Sequence, residues 1–185
     1  MRVLRGMIRH LLLALAAPVL LGACVNMPPV NRASTTALAS VERVDLVRYA
    51  GLWHEAARLP NQFERDCVAA TATYTQRQDG LVGVRNVCTK ADGSTSDVDG
   101  RAKIVDAETN AKLKVSFFGP FFFGDYWVID LAPDYSWAIV GEPRGRFLWV
   151  LTRAETIDEA RKAQLIGRVR AQGYNADALY WNPGV

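Results

Sequence analysis

Short apolar segments separated by turn signals run through most of the chain and predict a sheet-rich fold. Between Gly51 and Thr152 the apolar runs recur every 10–15 residues, and turn sequences such as Gln78-Asp79-Gly80 break them. Short strands at this regular spacing are typical of an all-β sandwich or barrel. The runs predict eight strands, at about 51–58, 67–76, 81–90, 96–105, 111–118, 125–131, 136–141 and 146–152.

Alternation within the second, fourth and fifth runs predicts one buried and one solvated face. In the fifth run Leu113, Val115 and Phe117 share one face, and Lys112 and Lys114 lie on the other. A single sheet with this pattern can close around an apolar interior. Because such short connections favour antiparallel neighbours, the predicted architecture is an eight-stranded antiparallel up-and-down barrel. A barrel of eight strands is wide enough to hold one small ligand.

The orientation of two strands needs separate arguments. In the sixth strand we expect Trp127, Ile129 and Leu131 to point inward, because the opposite orientation would bury Asp130 without a partner. The third strand allows both orientations, because either one places Arg85 or Asn86 inside the barrel.

One helix is predicted after the strands. Thr156-Ile157-Asp158-Glu159 has the sequence of a capping box. Helical spacing of apolar residues continues to Val169, and Gly173 is a plausible C-terminal stop. Tyr180-Trp181 forms a short apolar tail that could add a strand to the barrel.

The N-terminal region predicts export. Arg2, Arg5 and Arg9 precede an apolar run from Leu11 to Leu21. That run is too short to span a bilayer, which needs about 20 residues, so a secretory signal over residues 1–23 is the better interpretation. Residues 24–40 are rich in Pro, Ser and Thr without apolar periodicity, which predicts a flexible tether. The folded domain is then 41–185.

Composition and charge exclude several classes of function. The 185 residues are 50% apolar and 22% charged, which suits one compact domain. The net charge of +3 resides in Arg2, Arg5 and Arg9, and the rest of the chain is neutral. A neutral domain has no general attraction to nucleic acid. With two histidines, scattered carboxylates and no glycine-rich phosphate loop, we expect no metal, no cofactor and no catalytic residues.

Three segments resemble the motifs of the lipocalin family. Gly51-Leu52-Trp53-His54-Glu55 resembles its first motif, Gly-x-Trp-aromatic-Glu, with His54 at the aromatic position. Asp134-Tyr135 and the following strand resemble the second motif more loosely, and Leu148 to Arg153 resembles the third. Within the family, residues 45–182 are similar to the bacterial outer-membrane lipoprotein lipocalins, and at greater distance to apolipoprotein D and the plant temperature-induced lipocalins.

The resemblance implies roles for several residues. Gly51 and Trp53 would lie at the closed end of the barrel, with Arg153 stacked on the indole in a cation–π pair worth ~0.5–2 kcal/mol. Leu21-Gly22-Ala23-Cys24 resembles a bacterial lipoprotein signal, in which the cysteine is acylated after cleavage before it. Val25 follows it, with no Asp to signal inner-membrane retention. The implied location is therefore the outer membrane, with the domain on the periplasmic face.

The two remaining cysteines predict a disulfide. Cys67 and Cys88 lie near the far ends of two strands joined by one turn. An exported domain enters an oxidising compartment, so we expect these thiols to be bonded. The alternatives are two free buried thiols or one reactive thiol, but no basic cluster that would activate a thiol is apparent.

Aromatic residues supply the candidate ligand contacts. Phe117, Phe118, Phe121, Phe122 and Phe123 surround Gly119-Pro120. We expect them to form the lip of the barrel and Phe122 to touch the ligand or the membrane; the alternative is burial between helix and barrel. Inside the barrel, the side chains expected to touch the ligand are Tyr74, Phe117, Trp127 and Trp149.

The resulting hypothesis is a lipid-anchored lipocalin that binds and stores or transports a small hydrophobic ligand in the cell envelope. The expected ligand is a fatty acid or lysophospholipid, and a homodimer is possible by analogy with the family. Two alternatives remain open. One is a lipid-modifying enzyme on the same scaffold, and the other is a structural envelope lipoprotein with a filled barrel.

Overall fold

The computed structural model describes residues 27–183. It contains a short helix α1 (Leu46–Tyr49), a longer helix α2 (Glu159–Ala171) and a 3₁₀ turn at Ala176–Ala178. The strands are β1 (Gly51–Arg58), β2 (Cys67–Gln76), β3 (Val82–Lys90), β4 (Thr95–Ile104), β5 (Lys112–Ser116), β6 (Gly124–Leu131), β7 (Trp137–Gly141), β8 (Leu148–Thr152) and the two-residue β9 (Tyr180–Trp181).

The eight main strands form the predicted closed antiparallel barrel. Each strand from β2 to β7 pairs with the strand that follows it in the chain, and β1 pairs with both β8 and β2. Gly51 is opposite Tyr74 on β2, and His54 is opposite Thr152 on β8. The second half of β1 also pairs with β9, so the predicted apolar tail does add a strand.

The structure decides the orientation of β3. Val82 and Val84 are buried in the cluster that fills the barrel, which places Asn86 on the inward face. Arg85 points outward and forms ion pairs with Asp97 at 2.9 Å and Asp99 at 3.2 Å.

The expected orientation of β6 is wrong for Trp127 and Ile129. Both pack outside the barrel, in the cluster that contains the buried residues of α2. A bulge lies between Val128 and Asp130, so the strand changes parity there. Asp130 is buried on the outer side but is not unpaired, because Arg168 of α2 lies 3.1 Å from it. The bulge keeps Asp130 on the outer side although Trp127 also faces outward, so the argument from Asp130 did not determine the orientation of Trp127.

The two ends of the barrel differ. At the closed end the chain before β1 crosses the opening, with the Val44 amide donating to Thr109 and the Asp45 amide to the hydroxyl of Tyr135. The loops at 77–81, 105–111 and 132–136 surround this end. The open end carries the other four loops, at residues 59–66, 91–94, 117–123 and 142–147.

Helix α2 packs on the outside of the barrel through Leu165 and Val169, which are fully buried. Its start differs from the predicted capping box. Asp158 is the N-cap, and its side chain accepts a hydrogen bond from the amide of Arg161 at 2.7 Å. The helix stops before Gly173, which has a φ of 82°, as the sequence predicts.

Residues 27–40 form what we call the N-terminal strap, and they do not behave as the expected flexible tether. The Asn31 amide donates to the carbonyl of Gly145, and the Arg32 side chain donates to the carbonyl of Gln172 at 2.8 Å. Leu38 is buried in the seam between α2 and the barrel. The ordered domain therefore begins well before residue 41. Over residues 27–183, no helix has the length and apolar character needed to cross a membrane.

Candidate ligand cavity

The barrel encloses an apolar cavity in the half next to the closed end. The cavity is small, with about 20 Å³ of free volume, and it is partly open to solvent. The aliphatic side chains that line it are Val44, Leu46, Val82, Ala102, Leu113, Val115 and Val128.

Three tyrosine hydroxyls form a hydrogen-bonded chain in this apolar wall. Tyr126 occupies the centre: its hydroxyl donates to Tyr74 at 2.8 Å and is 2.8 Å from the hydroxyl of Tyr49. Burial raises the pKa of each phenol. All three therefore stay neutral at physiological pH and can both donate and accept hydrogen bonds.

Asn86 adds a further polar group to the inward face. Its side-chain oxygen is buried and has no hydrogen-bond partner among residues 27–183. A buried acceptor without a partner costs about 1–3 kcal/mol. A hydroxyl or amide on a bound molecule would remove that cost.

Three of the expected ligand residues lie on the inner side of the barrel. Tyr74 lines the cavity. Phe117 packs on the interior cluster over Gly100, where a Cβ atom would lie 2.6 Å from the ring. Trp149 lies nearer the open end, where it stacks on Phe147 and its indole donates to Glu64 at 3.0 Å.

Trp127 and Phe122 lie elsewhere. The ring of Trp127 is outside the barrel, 4.8 Å from the Lys112 ammonium. Phe122 is half-buried against the outer face of β4, with Arg101 at 5.4 Å and Lys103 at 5.2 Å from its ring centre. The expected place of Trp127 inside the barrel is therefore corrected, whereas contact of Phe122 with a ligand or the membrane stays a prediction.

The other phenylalanines of the β5–β6 loop are exposed rather than buried under α2. Phe118, Phe121 and Phe123 expose 83%, 63% and 79% of their surface. The alternative that they fill the seam between helix and barrel is therefore wrong.

The closed end has the geometry that the motif residues imply. The guanidinium of Arg153 lies 3.8 Å from the ring centre of Trp53, which is fully buried. Gly51 has a φ of 93°, and a Cβ atom there would contact the Arg153 guanidinium. A side chain at position 51 would thus strain the backbone.

A buried ionic cluster lies between β1 and the loop that follows it. Arg58 donates to Glu55 at 2.7 Å and to the side chain of Asn182 at 2.9 Å, and its guanidinium is 4.0 Å from Glu64. Burial first, and then the nearby charge of Glu64, raise the pKa of Glu55 to about 8. The guanidinium of Arg58 thus interacts with two carboxyl groups in a desolvated site.

The predicted disulfide is confirmed. Cys67 and Cys88 are bonded, and they join the open-end halves of β2 and β3. Over residues 27–183 no three His, Cys, Asp or Glu side chains are grouped to hold a metal ion.

Sequence reasoning missed Tyr49 and Tyr126. Tyr126 alternates with Val128 on β6, so the opposite parity of that strand would have found it. Tyr49 lies two residues before Gly51, in a segment whose path over the closed end has no periodic signal.

A closed antiparallel barrel with a Trp–Arg pair at one end and an apolar internal cavity defines a recognisable class of fold. The chain belongs to the lipocalin family, whose Lipocalin-like domain model matches residues 44–184.

Similar proteins agree with this assignment. Outer membrane lipoprotein Blc of Escherichia coli is 36% identical over 172 residues, 92% of this chain and 94% of that protein. Temperature-induced lipocalin-1 of Arabidopsis thaliana is 35% identical over 151 residues, 77% of this chain and 81% of that protein. Insecticyanin from the tobacco hornworm Manduca sexta shares the fold with a TM-score of 0.64 at 22% identity, over 82% of this chain and 86% of the other.

Proposed function

We propose that this protein is a lipid-anchored lipocalin that binds one small hydrophobic molecule, a fatty acid or lysophospholipid, inside the barrel. It stores or transports that ligand in the cell envelope, without a chemical reaction on it. The observation that carries the proposal is the apolar cavity with the Tyr49–Tyr126–Tyr74 hydroxyl chain in its wall.

The cavity suits an amphipathic ligand with a narrow apolar part. Its aliphatic wall selects by shape and apolar character, since such surfaces offer no directional bonds. The tyrosine hydroxyls and Asn86 supply donors and acceptors for a carboxyl, hydroxyl or glycerol group. The small free volume favours a single acyl chain over a two-chain lipid.

The anchor belongs to the same proposal. Cys24 and the signal sequence lie outside the described residues, and acylation at Cys24 is supported by the Leu21-Gly22-Ala23-Cys24 sequence. The similar protein from Escherichia coli is named an outer membrane lipoprotein. We therefore place this chain at the outer membrane, with its domain on the periplasmic face. Homodimer formation stays a prediction.

A pair of matched variants tests the binding site. Ala102 lines the cavity and Lys103, the next residue on β4, is exposed on the outer face. Ala102→Phe fills the cavity, and we expect at least a tenfold loss of fatty-acid affinity, measured by quenching of tryptophan fluorescence. Lys103→Phe adds an aromatic ring outside the barrel and should leave affinity within twofold.

Native mass spectrometry of the purified protein separates the alternatives. Bound lipid or lysolipid in a 1:1 complex supports the carrier. Conversion of that lipid with time would identify an enzyme. A protein that takes up neither fatty acid nor lysophospholipid would contradict the proposal and favour a structural lipoprotein with a filled barrel.

A further inference from the structure

The N-terminal strap enters the fold at the open end of the barrel. The carbonyl of Pro28 accepts a hydrogen bond from Arg146 at 2.5 Å, and the amide of Asn31 donates to the carbonyl of Gly145 at 2.7 Å. Both partners belong to the β7–β8 loop. Gly145 has a φ of 67°, and a Cβ atom there would clash with Arg32. The glycine therefore permits the close approach that fixes the strap at this end.

Exposed phenylalanines surround the same end. Phe63 in the β1–β2 loop exposes 71% of its surface, and Phe118, Phe121 and Phe123 in the β5–β6 loop expose 83%, 63% and 79%. Consecutive antiparallel strands place both loops beside the β7–β8 loop. Large apolar side chains grouped on a surface in this way mark an interaction site.

The charges around these rings do not indicate a charged partner. In the four open-end loops, the exposed ionisable side chains are two of each sign: Arg65, Arg144, Asp66 and Asp92. An apolar ring group with balanced charges matches the headgroup region of a lipid bilayer, into which apolar side chains insert by about 5–10 Å.

The length of chain before the strap fixes the orientation of the barrel. Cys24 is four residues before Pro28, and four residues span at most about 14 Å. An acyl group on Cys24 therefore holds Pro28 and the β7–β8 loop close to the bilayer surface. The closed end lies at the opposite side of the barrel.

We propose that the open end of the barrel rests on the membrane surface, with Phe63, Phe118, Phe121 and Phe123 in the headgroup region. Ligand then passes between bilayer and barrel without crossing water. This inference rests on the proposed acylation of Cys24 and extends the proposed function by naming the surface through which ligand is exchanged.

Labels at the two ends of the barrel test this orientation. Mature acylated protein, with the acyl mass verified, is reconstituted into phosphatidylcholine vesicles that contain a spin-labelled quencher lipid. One sample carries a fluorophore at Phe121→Cys, and the other carries it at Ala107→Cys, exposed in the closed-end loop 105–111. We expect at least threefold stronger quenching at position 121. Equal quenching at both positions, stronger quenching at 107, or the absence of an acyl group on Cys24 would overturn the inference.

A transfer assay tests the role of the rings in exchange. The change Phe121→Ser with Phe123→Ser should slow transfer of a fluorescent fatty acid from protein to vesicles by fivefold or more, with binding affinity within twofold. The control Val47→Ser removes a side chain that is 73% exposed near the closed end, and it should leave the transfer rate unchanged. Transfer at the parental rate in the double variant would overturn the inference.

The outcomes separate this inference from the proposed function. Quenching at position 121 without any fatty-acid uptake would retain the orientation and contradict the carrier. Fatty-acid binding with stronger quenching at position 107 would support the carrier and contradict the orientation. A dimer by light scattering that becomes a monomer in the Phe121→Ser, Phe123→Ser variant, with no quenching at 121, would assign this surface to a second copy of the chain and overturn the membrane assignment.

Discussion

The guanidinium of Arg153 lies 3.8 Å from the ring centre of Trp53 and also donates hydrogen bonds to four backbone carbonyl groups between Arg48 and Leu52. The indole of Trp53 in turn donates to the carbonyl of Tyr49 at 2.8 Å. One arginine next to β8 therefore fixes helix α1 and the start of β1. The first and last strands of the barrel are joined at the closed end by this arrangement.

Replacing Arg153 should destabilise the protein strongly. The change Arg153→Met removes the cation–π contact, worth ~0.5–2 kcal/mol, and leaves carbonyl groups without their donor. We expect the free energy of unfolding to fall by about 2–4 kcal/mol, measured by urea titration with tryptophan fluorescence. Arg153→Lys keeps the charge but not the planar fork of donors. Its free energy of unfolding should therefore lie between those of the parent protein and the Met variant. A Met variant as stable as the parent would contradict this role.

Tyr126 should matter more than its single hydroxyl suggests. The change Tyr126→Phe removes the central member of the hydroxyl chain and leaves Tyr49 and Tyr74 without that partner. Since a buried polar group without a partner costs about 1–3 kcal/mol, we expect a loss of unfolding free energy of that order and weaker fatty-acid binding. Tyr180→Phe, at the half-buried β9, is the control and should change neither quantity. Equal effects of the two changes would show that the hydroxyl chain of the three tyrosines contributes to neither stability nor binding.

Stability should fall with rising pH in a defined window. The pKa of Glu55 is raised from 4.5 to about 8, chiefly by burial. Between these values the folded protein keeps a proton that the unfolded chain has lost, so the free energy of unfolding decreases as the pH rises. Urea titrations from about pH 5 to about pH 8 measure this slope.

The same window tests the coupling of the two carboxyl groups. Glu64→Gln removes the negative charge that helps to raise the pKa of Glu55. We expect the pKa of Glu55 to fall, as followed by NMR of the labelled carboxyl carbon, and the stability slope to flatten. Glu108→Gln in an exposed loop should leave the slope unchanged. A slope that persists unaltered in the Glu64 variant would show that the two groups are not coupled.

The two candidate caps of α2 can be compared directly. Asp158 accepts from the amide of Arg161 at 2.7 Å, whereas Thr156 lies three residues before the first residue of the helix. Asp158→Ala should therefore cost about 1 kcal/mol of unfolding free energy. Thr156→Ala should have little effect, and a larger loss there would restore the predicted capping box.

Local patterns predicted most of the barrel. The alternation in β2, β4 and β5 and the turn sequences between strands depend on residues close in the chain, and the observed strands follow them within a few residues. The motif positions Gly51, Trp53 and Arg153 were equally informative, because each residue has a defined structural role at the closed end.

The predictions from sequence were wrong where contacts with a distant segment override the local pattern. The bulge after Val128 allows both Val128 and Leu131 to face the interior, so Trp127 lies outside, and Asp130 on the outer side pairs with Arg168 of α2. The N-terminal strap has no periodic pattern, yet its backbone is ordered by partners more than 100 residues away, Gly145 and Gly173. No window of the sequence contains both partners of such contacts.

Local periodicity and residue type were enough to predict the strand pattern and the disulfide-forming pair, and the resemblance of three motifs pointed to the lipocalin family. Which side chains face the cavity, how the three tyrosine hydroxyls meet and where the strap enters the barrel depend on the folded chain as a whole. The physical reason is that a one-residue bulge reverses a strand face, and contacts between distant segments are set by the packing of the whole barrel.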